Sequence, residues 1–342
     1  MELPKIGITM GDPTGVGPEV IVKSYLEPKI TNECIPVVLG DANVMKKTIS
    51  DLKAKIELNV ISVDDIKTLK PSAKTMYLIK LSNLDPSRLK VGRPDKIAAK
   101  MMVTYIKEAV RLAMLGSISA MVTAPINKAA INNAGFRYAG HTELLAEITR
   151  TEDYCMMLVG KKLKVSLVTT HSPIREVPGM LTPGLVFKTI KLSYDALVDY
   201  FNIKNPKIAI VALNPHAGED GLFGVEEKEL IIPGIKKAEN MGIQVFGPLP
   251  ADTAFYFAYK TKYDIVVGIY HDQALIPLKV VNFDDAVNVT LGLPIIRTSV
   301  DHGTAYDISG KGIANPESMK AAILLAGKMA GIKMKKQHDG SM

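Results

Sequence analysis

The sequence predicts an α/β protein with a mainly parallel sheet. Short runs of β-branched and other apolar residues alternate along the chain with longer segments whose apolar residues recur every three or four positions. Such an alternation of strands and helices is typical of α/β folds. The 342 residues are long for one hydrophobic core, so two domains are expected.

Each predicted element corresponds to a definable segment. The clearest helices are residues 95–116, which end near Gly116, and residues 182–201, which Thr182 and Pro183 open. Six runs predict buried strands: KIGITMG (5–11), CIPVVLGD (34–41), AMVTAPI (120–126), KVSLVTTH (164–171), KIAIVALNPH (207–216) and DIVVGIYH (264–271).

Composition excludes several classes of protein. The net charge is +7, but the lysines are spread along the chain without interleaved aromatic residues, which argues against nucleic-acid binding. No apolar run approaches the roughly 20 residues of a membrane span, and no signal peptide is recognised at the N-terminus. Cys34 and Cys155 stand in unlike contexts, so we expect no disulfide framework and a cytoplasmic location.

Three of the six predicted strands run directly into a histidine. His171, His216 and His271 each follow such a strand. Because the carboxyl ends of parallel strands lie along one edge of a sheet, these imidazoles can converge there. Three imidazoles with a remaining open position form a catalytic metal site. The alternative is that each histidine is a loop residue bonded to nearby backbone; from the pattern alone, both interpretations stand.

The segment GDPTGVGPEV (11–20) follows the first strand and leads into a helix. Its glycines suit either an anion at the helix N-terminus or a tight turn that requires positive φ. The spacing is not GxGxxG, and Pro13 and Pro18 make a Rossmann dinucleotide loop improbable.

Two further segments carry candidate ligand-binding residues. Residues 291–319 combine Arg297, Asp301, His302, Asp307 and Asn315 with several glycines, and Arg297 suits either a phosphate or carboxylate or an interdomain salt bridge. In RYAGHTELLAE (137–147), His141 and Thr142 open a helical pattern, where an anionic group is favoured; Thr142 can equally be an N-cap.

Over nearly its whole length the sequence resembles the 4-hydroxythreonine-4-phosphate dehydrogenases and the related D-threonate and D-erythronate 4-phosphate dehydrogenases. The matching motifs occur in order: GITMGDPTGVGPEV, VTAPINKAAINNAGFRYAGHTELLAE, TTHSPIREVP, LNPHAGEDGLFGVEE, GPLPADTAF, YHDQALIPLK and VNVTLGLPIIRTSVDHGTA. The resemblance implies two α/β domains with a cleft between them, as in isocitrate and isopropylmalate dehydrogenases and unlike a Rossmann fold. By this analogy we expect one domain from residues 1–132 and 300–342 and a second from residues 133–299.

The resemblance also implies the site residues and partners. One divalent metal (Zn, Co, Mg or Mn) would be bound by His171, His216 and His271 at the interface of a homodimer, with ligands from both subunits. The phosphorylated four-carbon substrate would contact His141, Thr142, Lys279, Asn288 and Arg297. The nucleotide would bind the segment that contains His302, Gly303, Ala305, Asp307, Ile308 and Asn315. There Asp307 would face the adenosine ribose, which favours NAD, with NADP as the alternative.

The implied reaction is oxidation of the C3 hydroxyl of 4-phosphohydroxy-L-threonine followed by decarboxylation, with Lys279 as the candidate base. The adjacent Asp284 and Asp285 are closer to the threonate and erythronate branch, so an aldonate 4-phosphate is the alternative substrate. Two readings compete with a dehydrogenase: a non-redox acyl or phosphoryl transferase on a related fold, and a binding protein that has lost activity.

Overall fold

The computed structural model describes residues 2–138 and 140–340 and divides into two compact units. The first unit comprises residues 1–152 and 293–342, and the second comprises residues 153–292. The two ends of the chain belong to the first unit. The borders lie at 152/153 and 292/293 instead of the expected 132/133 and 299/300, so residues 133–152 and 293–299 belong to the first unit.

Packing explains these borders. The helix that starts at His141 buries Leu144 and Leu145 in the first unit's core, where Leu293 and Ile295 also pack. The strand that starts at Arg297 pairs in parallel with the strand 120–123 of the same unit.

The strands of the first unit are all parallel, in the order β3-β4-β2-β1-β5-β12. This is not the 3-2-1-4-5-6 order of a Rossmann sheet. The strands are β1 (Lys5–Thr9), β2 (Ile35–Asp41), β3 (Glu57–Ile61), β4 (Thr75–Ser82), β5 (Ala120–Thr123) and β12 (Arg297–Val300). The helices are α1 (Gly17–Tyr25), α2 (Pro28–Glu33), α3 (Ala42–Asp51), α4 (Lys96–Met114), α5 (Lys128–Asn133), α6 (His141–Thr149) and α12 (Glu317–Asp339).

In the second unit the strand order is β11-β6-β7-β10-β8-β9, with β7, β10, β8 and β9 parallel and β6 antiparallel to both of its neighbours. The strands are β6 (Cys155–Val159), β7 (Lys164–Leu167), β8 (Ile208–Val211), β9 (Val245–Leu249), β10 (Ile265–Gly268) and β11 (Val287–Leu291). The helices are α7 (Val177–Met180), α8 (Pro183–Phe201), α9 (Ile232–Glu239), α10 (Ala251–Tyr259) and α11 (His271–Asn282). The predicted α/β class with a mainly parallel sheet is confirmed.

The two predicted helices are confirmed, and local chemistry sets their ends. The Asp95 carboxylate accepts hydrogen bonds from the Ile97 and Ala98 amides, both at 2.8 Å, and so caps α4. The Thr182 hydroxyl accepts from the Leu185 amide at 3.0 Å and caps α8. Beyond α4, Gly116 takes a φ of +71°, which ends the helix at low conformational cost.

All six predicted strands are confirmed, although each is shorter than the run that predicted it.

Cys34 and Cys155 are both buried free thiols, and burial raises the pKa of each to about 12. In the described part of the chain, no helix is both long enough and apolar enough to cross a membrane.

Candidate functional site

Three of the second unit's parallel strands, β7, β10 and β8, are adjacent in that order, so their carboxyl ends share one edge of the sheet. His171 lies four residues beyond β7, and His216 lies in a turn after β8. His271 does not end a strand, because it is the first residue of α11. The strand order therefore places the segments that carry the three histidines at one edge of the sheet.

Hydrogen bonds beyond the strands hold this edge in register. The Thr169 hydroxyl donates to the Ile269 carbonyl at 2.7 Å, and the Thr169 amide donates to the same oxygen at 3.0 Å. The Gln273 side chain accepts from the Ile269 amide and donates to the Ala212 carbonyl, at 2.8 and 2.7 Å. Gln273 thus links the exits of β10 and β8. The sequence analysis missed this residue, whose only signal is its position within YHDQALIPLK.

The His171 and His271 rings are close together, with centroids 5.6 Å apart and planes inclined by 42°. Asp272 Oδ1 lies 2.7 Å from His271 Nδ1. A carboxylate behind one imidazole nitrogen leaves the other nitrogen for a ligand, and this arrangement is common at metal-binding histidines. These two imidazoles are donors of the kind that a divalent metal binds, and a metal there would need further ligands.

His216 lies beside a different ring, since the centroid of Phe223 is 6.0 Å from that of its imidazole. Within residues 2–138 and 140–340, no three histidine, cysteine, aspartate or glutamate side chains are grouped closely enough to hold a metal ion. Asn214, two residues before His216, donates to the Glu226 and Glu227 carboxylates.

Two of the expected substrate residues, Lys279 and Asn288, also belong to the second unit. Lys279 lies in the last turn of α11 and is half-buried. Asn288 lies on β11, where its Nδ2 donates to Met156 Sδ at 3.2 Å. The Asn288 Oδ1 atom is buried and has no hydrogen-bond partner, as expected of an acceptor that a ligand would satisfy.

The acidic pair between Lys279 and Asn288 is partly engaged by the protein. Asp285 Oδ1 accepts from Asn282 Nδ2 at 3.0 Å, and Asp285 Oδ2 lies 3.2 Å from Lys161 Nζ. Asp284 is exposed. The Asp285 carboxylate therefore stabilises the turn between α11 and β11.

The other expected substrate residues lie in the first unit, where β12, β5 and α6 position them. Arg297 is buried on β12, and Thr123 Oγ1 on β5 accepts from its Nη2 at 2.7 Å and its Nε at 3.2 Å. Burial lowers the pKa of the Arg297 guanidinium to about 9, and the charge of Glu143 opposes this shift. A cation desolvated to this degree gains from an anionic ligand.

His141 and Thr142 are the first two residues of α6, and Gly140 is its N-cap. The reading of Thr142 as an N-cap is therefore wrong, because Thr142 lies inside the helix. The Nε2 atom of His141 is buried without a partner, although the residue as a whole is only half-buried. Burial lowers the pKa of this imidazole well below its ordinary value, and the charges of Arg297 and Lys128 lower it further. A neutral imidazole beside two cations and a helix N-terminus suits an anionic group.

Residues 301–316, which include the expected nucleotide residues, pack against the glycine-rich turn that precedes α1. The Val16 amide donates to the Thr304 carbonyl at 3.0 Å, and the Ser309 hydroxyl donates to the Thr14 carbonyl at 2.9 Å. Gly17 permits the close packing of this turn, since a Cβ there would lie 2.4 Å from the Met10 carbonyl oxygen.

The α1 residue Glu19 extends this support. Its carboxylate accepts from the amides of Ala314, at 2.7 Å, and Gly312, at 3.2 Å. The glycine-rich turn and α1 therefore act as a scaffold for residues 301–316.

The surface of this segment is open to a ligand. His302, Gly303, Asp307 and Asn315 are exposed, and Ala305 and Ile308 are half-buried. On another side of the segment, residues 309–312 border a cavity of about 150 Å³ that α1, α3 and residues 86–91 also line. None of the six expected nucleotide residues lines that cavity.

A sequence profile described as "Pyridoxal phosphate biosynthetic protein PdxA" matches residues 32–326. The chain belongs to the PdxA family. It is 49% identical to the 4-hydroxythreonine-4-phosphate dehydrogenase of Geobacter metallireducens over 330 residues, which cover 96% of each chain. It is therefore a dehydrogenase.

Two further similar proteins show which enzyme names such relatives carry. A protein of Oceanobacillus iheyensis described as "Putative D-threonate 4-phosphate dehydrogenase" is 45% identical over 335 residues, which cover 96% of this chain and 99% of that protein. The solved 4-hydroxythreonine-4-phosphate dehydrogenase of Klebsiella pneumoniae superposes with a TM-score of 0.90 at 40% identity and covers 96% of this chain and 98% of its own. The resemblance stated from sequence motifs is confirmed.

Proposed function

We propose that this PdxA-family protein oxidises the C3 hydroxyl of 4-phosphohydroxy-L-threonine with NAD and a divalent metal, and that the product is decarboxylated to 3-amino-2-oxopropyl phosphate for pyridoxal phosphate biosynthesis. The observation that carries the proposal is the imidazole pair, His171 and His271, with Asp272 behind His271. A metal bound there would lower the pKa of the substrate hydroxyl and stabilise the enolate that develops on loss of carbon dioxide.

We assign these roles to the side chains of this protein. His171, His216 and His271 hold the metal, with ligands from both subunits of a homodimer. Arg297, His141 and Thr142 bind an anionic end of the substrate, supported by the buried guanidinium and the neutral imidazole. Asn288 binds a substrate donor through its unpartnered Oδ1, and Lys279 takes the proton of the hydroxyl.

The nucleotide residues are His302, Gly303, Ala305, Asp307, Ile308 and Asn315. NAD accepts the hydride, and we favour it over NADP because the exposed Asp307 carboxylate would repel a 2′-phosphate. The proposed location is the cytoplasm, where buried, reduced cysteines are ordinary.

An apolar surface of the second unit supports the homodimer. Ile276, Val280 and Phe283 recur at helical spacing along α11 and just past its end, and they are 61%, 79% and 76% exposed. An exposed stripe of three large apolar side chains is typical of an interface. We therefore propose that this stripe, residues 276, 280 and 283, packs against the partner subunit.

Substrate choice between the two branches rests on C2, which carries an amino group in one substrate class and a hydroxyl in the other. Because Asn282 and Lys161 engage Asp285, that carboxylate gives no support for an amine-binding role. D-Threonate 4-phosphate, the substrate named for the Oceanobacillus relative, is therefore the second candidate.

The test is NADH formation by metal-reconstituted protein with 4-phosphohydroxy-L-threonine, D-threonate 4-phosphate and D-erythronate 4-phosphate in parallel. We expect the highest kcat/KM for the amino acid. A higher value for an aldonate would move the protein to sugar-acid catabolism, and no NADH with any of the three would contradict the proposal.

An Arg297→Met variant should raise KM for the active substrate about 10- to 100-fold, because it removes charge-assisted hydrogen bonds.

A further inference from the structure

We propose that Glu227 is a positioning residue that fixes the loop carrying His216. This inference rests on the proposed function only in giving His216 a metal to bind. The described contacts of Glu227 point to the backbone of that loop and stand without the metal.

The loop has an unusual backbone. The five consecutive residues from His216 to Asp220 all have positive φ, with values of 51°, 56°, 78°, 41° and 56°. Four of these five residues carry a Cβ, which disfavours the left-handed region. Such a run persists only where surrounding groups over-determine it. His216 is therefore presented by a segment that needs external support.

Glu227 supplies that support from the next element of the chain. It is 3% exposed and begins the turn of π-helix Glu227–Ile231 that leads into α9. Its Oε1 accepts from the backbone amides of Leu213 and Asn214, at 2.9 and 2.8 Å, and its Oε2 accepts from Asn214 Nδ2 at 3.0 Å. One buried carboxylate thus receives three hydrogen bonds from the two residues that precede Pro215 and His216.

Two glycines allow the carboxylate to reach the loop. A Cβ on Gly218, at the centre of the left-handed run, would lie 2.6 Å from Glu227 Oε2. A Cβ on Gly224 would lie 2.4 Å from Asn214 Nδ2. Gly218 therefore leaves room for the Glu227 carboxylate, and Gly224 leaves room for the Asn214 side chain that donates to it.

Together these contacts set both the entry and the conformation of the loop. The amide hydrogen bonds orient the chain as it leaves β8, and the contact at Gly218 limits the path of the left-handed turn. We infer that Glu227 pre-organises the His216 imidazole before any ligand arrives. Preorganised outer partners of metal ligands typically contribute 10- to 100-fold to metal affinity.

The first test measures the loop without metal. Amide hydrogen exchange of residues 213–222 is compared in the parent, Glu227→Gln and Glu229→Gln; Glu229 is exposed two residues further along the same helical turn. In Glu227→Gln the new amide group opposes Asn214 Nδ2, and the charge that strengthens the other two bonds is lost. We expect exchange in this segment to quicken about tenfold in Glu227→Gln and to stay at the parent rate in Glu229→Gln. Equal rates in all three proteins would overturn the proposal.

The second test measures Zn²⁺ affinity by competition with a chromogenic chelator, with His216→Ala as a further variant. We expect Glu227→Gln to bind Zn²⁺ about 10- to 100-fold more weakly than Glu229→Gln. A lower melting temperature with unchanged Zn²⁺ affinity would show a merely structural residue and overturn the inference. Unchanged affinity in His216→Ala would instead remove His216 from the metal site and refute that part of the proposed function, and the exchange experiment would still decide whether Glu227 fixes the loop.

Discussion

At the scale of single residues, burial of Arg297 and His141 explains how one pocket of the first unit favours an anion. The guanidinium loses solvation but still donates hydrogen bonds to the Thr123 hydroxyl oxygen. The imidazole next to it is kept neutral by burial and by neighbouring positive charge. The sequence named both residues, but it could not show that they are buried together, because α6 and β12 are far apart along the chain.

His141 makes stability depend on pH. Its pKa in the folded state is lowered well below the ordinary 6.5, so the unfolded chain binds more protons between the two values. The stability contribution is present above about pH 6.5 and is lost as pH falls below it. We expect the free energy of unfolding of the parent to fall more steeply than that of His141→Gln between about pH 6.5 and 5, as measured by urea titration. Parallel curves for the two proteins would contradict this account of the imidazole.

The role of Glu227 is not visible in the sequence. Glu227 lies in the segment GVEEKE (224–229), an ordinary acidic run, and such a run usually lies on a solvated surface. Its role depends on a turn that places Leu213 and Asn214 against its carboxylate, and on Gly218, which leaves room for that carboxylate. Propensity rules do not predict five successive left-handed residues, so this contact is visible only in the fold.

At the scale of elements, the residues that start and end a helix predicted the helices most reliably. The cap residues Asp95 and Thr182 mark the starts of α4 and α8, and apolar periodicity gives their lengths. The sequence analysis missed α11 as a helix, because its short apolar run is interrupted by Pro277. For that reason His271 was placed at a strand end although it opens the helix.

The α4 cap gives a direct stability prediction. Asp95→Ala removes the acceptor for the Ile97 and Ala98 amides and should lower the free energy of unfolding by about 1 kcal/mol, within a range of roughly 0.5–2 kcal/mol. Lys100→Ala, an exposed change on the same helix, should stay within about 0.5 kcal/mol of the parent. Urea denaturation of the three proteins checks the difference, and equal midpoints for the two variants would rule out the capping role.

Two helical glycines should respond to alanine with opposite signs. In α12, a Cβ on Gly331 meets nothing within 4 Å, so Gly331→Ala should stabilise the protein by about 0.5–1 kcal/mol through helix propensity. In α9, a Cβ on Gly234 would lie 2.7 Å from the Val186 Cβ of α8, so Gly234→Ala should destabilise it by about 1–3 kcal/mol. Thermal unfolding of both variants is the measurement. Stabilisation of both would show that propensity outweighs packing at Gly234, and destabilisation of both would contradict the prediction for Gly331.

At the scale of the whole molecule, the chain divides into two units whose borders differ from those set by analogy. The reason is that α6 and β12 pack within the first unit, and a border set by analogy does not reveal such packing. The family could be predicted without a structure, because the motifs that identify it are spread over the whole chain. The sequence named the histidines of the proposed metal site, but it could not show that His171 and His271 lie together while His216 lies beside Phe223.

The proposed homodimer depends on the stripe of residues 276, 280 and 283. Val280→Lys places a charge in the middle of this apolar surface, so the dimer should dissociate at least about tenfold more readily. Met114→Lys, an equally drastic change at an exposed position of the first unit, should leave the dimer unchanged. Sedimentation equilibrium measures both; a parent protein that sediments at the mass of one chain would contradict the assembly.

The central claim is that catalysis requires a metal held by His171, His216 and His271. The most direct test strips the parent with a chelator, adds back Zn²⁺, Co²⁺, Mg²⁺ or Mn²⁺ stepwise, and follows NADH formation with 4-phosphohydroxy-L-threonine, with His271→Ala as the companion variant. The account predicts no turnover by the stripped protein, recovery that saturates near one metal ion per chain, and no recovery for His271→Ala. Full turnover by the stripped protein, or equal recovery in His271→Ala, would contradict it.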